Sequence, residues 1–221
     1  MKTEELIRAL AANATPVRPL LSAGARSALW AAVALVCTCA TFHALGERAD
    51  LVDKLRDPAF LCENASLLFL FVLSARAAFR LSVPGLEASP SAQLLPWLGL
   101  ATWILLLAAR SVPSVDGGSL SISWGGLSCA RRMAVMALPP ALLGFVMLRR
   151  AAPLKRRWAG LYAFLSAGAL AALGTQVLCG NDAPEHILVW HLGPLLVAGL
   201  LGMPAGKWLL RAPSKRHAIQ V

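Results

Sequence analysis

Charge is what this chain lacks. Asp, Glu, Lys and Arg make up only 14% of its 221 residues, against roughly a quarter in soluble proteins. With 57% hydrophobic residues, the chain cannot cover a globular surface with polar groups, which excludes an ordinary soluble domain. Other signatures are missing too. No C-x-x-C motif occurs, and none of the compact spacings of a zinc motif. There is no internal repeat and no low-complexity tract. No secretory signal opens the chain: Met1 to Leu20 is polar and carries Glu4, Glu5, Arg8 and Arg18, so the amino end is expected to stay on the side of synthesis. Apart from Glu63, the apolar runs hold almost no central charge, which is unpromising for ion-coupled transport. The net charge of +10 falls in blocks between apolar runs. With no continuous basic face, direct nucleic-acid binding is not expected.

What is there is six long apolar runs, near 27–46, 58–79, 94–112, 131–149, 158–178 and 187–207. Each suits a bilayer core that takes about 20 helical residues. The expected fold is an all-α membrane protein, a six-transmembrane-helix bundle with a short cytoplasmic amino-terminal helix. Its parts are an amino-terminal segment 1–26, a membrane domain 27–207 and a tail 208–221. Most Lys and Arg fall before the first run, after the second, between the fourth and fifth, and after the sixth, as at Arg149, Arg150, Lys155, Arg156 and Arg157. This bias places both termini in the cytoplasm. Arg48, Lys54, Arg56, Arg110, Arg131 and Arg132 then lie outside or at outer span ends, with Arg110 expected to snorkel. Glu47, Asp50, Asp53, Asp57, Asp116, Asp182 and Glu185 fall on the same outer side. Gly160, Gly168, Gly174, Gly199, Gly202 and Gly206 are read as close-packing positions. Pro139-Pro140 is expected to break two backbone hydrogen bonds and kink the fourth span.

Five cysteines occur. Cys37 and Cys39 lie in the first run, and Cys62, Cys129 and Cys179 at or near the outer face. In a Gram-negative cell that compartment is oxidising. A Cys129–Cys179 disulfide could tie two outer connections together, in either a structural or a sensory role. Thiolate with imidazole also suits copper, zinc or cadmium, so a transition metal at the outer (periplasmic) face is a candidate cofactor, with Cys129, Cys179 and His186 as ligands. Cys39, His43, Cys62, Glu63, Asp182 and Glu185 share that level. His191 is expected to be a packed helix residue bonded to a neighbouring carbonyl. Glu63, inside the second run, is expected to snorkel or be paired.

In the amino-terminal segment Thr3 can cap a helix whose first turn holds Glu4 and Glu5. Leu6, Ile7 and Leu10 form its apolar face, and Pro16 and Pro19 end it. Such a helix either meets a groove on a partner or lies on lipid.

The start Met1 to Leu10, the stretch Phe79 to Gly85, Cys129, Arg149 to Pro153, and Cys179 through His191-Leu-Gly-Pro194 together resemble the NrsF-type anti-sigma factors. These are bacterial inner-membrane proteins that hold an extracytoplasmic-function sigma factor inactive. The resemblance implies a sigma-factor partner contacted by Leu6, Ile7 and Leu10. It also implies that Cys129 and Cys179 are a sensor pair for metal or oxidative stress. Cys37, Cys39 and Cys62 fall outside that pattern. The alternative is an enzyme, a membrane thiol–disulfide oxidoreductase passing electrons to a quinone, against which the missing C-x-x-C counts.

Overall fold

Helices form where the apolar runs lead, and local chemistry sets their ends. The computed structural model describes residues 3–12, 19–86, 90–111 and 124–211, without the side chain of Leu10. Asp116, Pro16 and most of the tail 208–221 lie outside the described residues. In order come α1 (Thr3–Ala12), α2 (Ala23–Leu45), α3 (Leu51–Lys54), α4 (Pro58–Arg80), α5 (Pro90–Arg110), α6 (Leu127–Arg150), α7 (Arg156–Leu178), α8 (Pro184–Ile187) and α9 (Gly193–Leu209). A 3₁₀ turn, Trp124–Gly126, leads into α6, and a π turn, Leu188–Leu192, joins α8 to α9.

Several spans start earlier than the apolar runs indicate. Ser22 caps α2, its hydroxyl accepting from Ala25 N at 3.2 Å, so that helix takes in Arg26. Asp57 caps α4 ahead of Pro58, accepting from Ala59 N at 2.9 Å; both arrangements satisfy amides that a helix start leaves free. The fourth span begins four residues early. Cys129 therefore rides on the first turn of α6 instead of preceding it, and Arg131 and Arg132 sit a turn further in than expected. Among the described residues no strand occurs, and six helical segments are long and apolar enough to cross a membrane.

Helix α7 is the axis. Its apolar window is 83% buried, against 17% for α2, and α9, α4, α6 and α2 surround it. Its sequence explains why: Ala159, Gly160, Ala163, Ser166, Ala167, Ala171 and Gly174 are small and buried on every side. Small side chains let helix backbones approach, which matters where the apolar effect between helices is weak. A Cβ on Gly160 would overlap Gly202 O, and one on Gly206 would overlap Arg156 O. The α7–α9 contact therefore requires glycine at both positions.

Trp30 and Trp103 are core residues, 2% and 0% exposed, and do not sit at an interface. Helix α6 continues through Pro139 and Pro140. There the Trp30 indole N–H donates to Pro140 O at 2.9 Å, tying α2 to the middle of α6. The outward faces remain apolar, as at Val36 (68% exposed), Leu105 (67%) and Leu200 (65%).

Alternating helix directions sort the charges. Arg26, Arg80, Arg150, Arg156 and Lys207 lie at one end, where α2 begins. At the other end, where α2 stops, are Asp50, Asp57, Asp182 and Glu185, interspersed with a smaller number of cations, among them Arg48, Lys54, Arg110, Arg131 and Arg132.

Candidate functional site

At the acidic end, three of the expected residues meet and a fourth joins them. Cys129 lies one turn into α6, and Cys179 caps the end of α7, its N–H donating to Thr175 O at 2.8 Å. Their sulfurs are 3.4 Å apart, and Cys179 Sγ lies 3.4 Å from His186 Nε2. His191 completes the group: one ligand-type atom from each of Cys129, Cys179, His186 and His191 lies within 4.8 Å of all the others. All four side chains are buried. A cavity of about 270 Å³ opens beside them, lined by Gly126, Arg132, Asn181 and others. The hydrogen bond shared with Cys129, together with burial, pushes the Cys179 thiol above its usual range.

Local sequence holds each part in place. Asn181 Oδ1 accepts from Ala183 N at 3.0 Å and turns the chain into α8, whose first residue is Pro184. On the other side, a Cβ on Gly126 would collide with the Trp190 indole, so glycine lets α6 start against it. Trp124 meets Trp190 edge-on, with ring centroids 6.1 Å apart.

His191 is where sequence reasoning went astray. It is buried, at 1% exposure, but no carbonyl holds it: neither ring nitrogen has a hydrogen-bond partner. Other residues at that level stay away from the cluster. Cys39 and Cys62 are exposed on their own helices.

Asp182 and Glu63 serve instead in a network of ion pairs behind the thiols. Arg48, 5% exposed, uses Nη1 and Nη2 on Asp182 at 2.7 and 2.8 Å, and Nε and Nη2 on Asp50 at 2.7 and 2.9 Å. Paired, two-pronged contacts of this kind are the strong form of an ion pair. Lys54 Nζ reaches Asp182 at 2.7 Å, and Arg48 N donates to Val177 O at 3.2 Å. The guanidinium of Arg48, followed by burial and the Lys54 ammonium, sets Asp182; the net effect is a carboxyl lowered to about 2. Arg110 does not simply snorkel. It pairs with the buried Glu63 and donates to Asp182 O at 3.0 Å. The connection between Cys179 and His186 is thus held from three other segments. Of these partners, Glu63 and Arg110 carry a sequence warning, as charged side chains within apolar runs.

Helix α1 contrasts with this corner: Leu6 is 43% and Ile7 59% exposed. The side chain of Leu10 lies outside the described residues.

Six helices long and apolar enough to cross a membrane, a buried dithiol–diimidazole corner and an exposed amphipathic helix define the structural class: an all-α bundle of membrane-spanning type. Comparison with known proteins makes this specific. The NrsF family model, "negative regulator of sigma F", matches residues 10–211. The chain is 31% identical over 216 residues to the probable anti-sigma-F factor NrsF of Azospira oryzae, and 30% identical over 229 residues to the anti-sigma-F factor NrsF of Caulobacter vibrioides. Each match covers 96% of this chain and 100% of the relative. No solved structure matches. The chain belongs to the NrsF family; it is a negative regulator of a sigma factor and not an enzyme.

Proposed function

We propose that this protein is an inner-membrane anti-sigma factor that captures an extracytoplasmic-function sigma factor through α1. In this reading α1 lies in the cytoplasm and both termini are cytoplasmic. The sigma factor is released when Cys129 and Cys179, on the periplasmic side, take up a metal ion or are oxidised. Oxidation would join the two sulfurs, giving two protons to solvent and two electrons to an oxidant of the hydroperoxide class.

The carrying observation is the polarity of the bundle. Basic residues gather where α2 begins, as cytoplasmic ends do, while the 3.4 Å thiol pair lies at the opposite end. Such a span of about 20 residues separates the ends by roughly 30 Å. The exposed Leu6–Ile7 face supports partner binding, since a ten-residue helix is marginal alone and gains order by docking. Release needs a ligand or bond that favours one bundle state over another. Cys179 ends the axial helix α7, so a pull there acts on every helix packed around it.

Deleting residues 2–15 tests the reading. Membrane insertion is expected to survive, while sigma-dependent transcription becomes constitutive. A regulon still silent in cells that insert the truncated protein would overturn it.

A further inference from the structure

We infer that Cys129, Cys179, His186 and His191 form one closed site for a divalent d¹⁰ cation of the zinc–cadmium class, and that the π turn Leu188–Leu192 exists to bring His191 into it. The inference deepens the sensing role proposed above and rests on it only for its biological meaning.

The two imidazoles are five residues apart. In an α-helix of 3.6 residues per turn, five residues carry the second side chain about 140° away from the first. A π turn instead bonds residue i to i+5 and stacks the two. That is the turn found here, where Gly193 N–H donates to Leu188 O. The rings of His186 and His191 consequently lie 5.4 Å apart at 71°, facing the two sulfurs. His191 is 1% exposed, neither ring nitrogen has a hydrogen-bond partner among the described residues, and a ring nitrogen lies within 4.8 Å of both sulfurs and of His186. A buried polar ring without a partner is costly, and a bound cation would satisfy it.

The donor set specifies the ion. Two sulfurs and two imidazole nitrogens are a tetrahedral zinc-type set, and a closed set of four protein ligands leaves no open position. Zinc–sulfur bonds of about 2.3 Å give tetrahedral edges of about 3.8 Å. The 3.4 Å separations already come close, and the widest pair, within 4.8 Å, needs about 1 Å of closure. Charge points the same way. Capture releases one proton from each thiol, so two thiolates and a dication make a neutral complex, while a monovalent ion would leave a net negative charge in a buried site. Cys37, Cys39 and Cys62 lie outside this set.

The test uses the full, reduced chain in nanodiscs with Cys37, Cys39 and Cys62 replaced by Ser, titrated with cobalt(II) as an absorbing stand-in and then with zinc. One cobalt per chain is expected, with tetrahedral and thiolate charge-transfer bands, about two protons released, and displacement by zinc. X-ray absorption of the zinc-loaded chain should give two sulfur and two nitrogen neighbours. His191→Ala should weaken binding at least about tenfold, and His191→Cys should retain one ion with about half as much charge-transfer intensity again. An absence of tetrahedral binding, or a neighbour set without two nitrogens, overturns the inference. So do cobalt spectra unchanged in folded His191→Cys. Because no sigma factor is present, loss of the site leaves sigma capture standing, and a good site in a chain that captures nothing sinks only the regulatory reading.

Discussion

The two ends of this molecule solve opposite problems. At the thiol end, charged contacts brace a buried corner: Arg48, Lys54 and Arg110 converge on the Asp182 connection, and Glu63 is paired inside the bundle. At the amino end, α1 leaves Leu6 and Ile7 exposed. A region that must sense a small change is best held in one geometry, since interaction energy is then spent on the ligand and not on ordering. A region that must grasp a protein can leave its ordering to the partner.

Breaking either end should therefore have distinct effects. The largest after the amino-terminal deletion is expected from Cys129→Ser or Cys179→Ser: induction by metal or oxidant is lost while repression persists. An unchanged induction curve in a reporter assay would remove the sensor role. The axis tolerates less than the outer surface does. Gly202→Val forces a side chain into Gly160 O and should cost about 1–3 kcal/mol, read as a lower melting temperature in detergent; Leu200→Val, on an exposed face, should barely move it. Asp182→Asn should cost about 2 kcal/mol by weakening its charged hydrogen bonds. Because folding holds Asp182 at about 2, below its usual value near ~3.9, its contribution is complete above the usual value. That contribution is lost as pH falls through about 2. The difference in melting temperature between parent and Asp182→Asn should thus be flat between about pH 5 and 8 and shrink in stronger acid.

Much of this contrast was legible in the sequence. Six apolar runs placed the helices, and the alternation of basic and acidic connections put Cys129, Cys179 and His186 at one level. Burial of Trp30 and Trp103 was less legible, because an indole suits both an interface and a core. The role of Arg48 was hidden by distance, its partner Asp182 lying 134 residues away. His191 was missed because helical counting at 3.6 residues per turn puts it on the wrong face. One signal was present: Pro194 carries no N–H for the carbonyl of Trp190, and a widened turn is one way for a helix to accommodate that.

The most direct measurement is retention of the purified sigma factor by the full chain in nanodiscs, compared with a Leu6→Ala, Ile7→Ala double variant. Each truncation removes about 1.5–3 kcal/mol of apolar burial, so the dissociation constant should rise on the order of 100-fold or more while the melting temperature of the bundle stays put. Equal retention by parent and variant would contradict capture through α1.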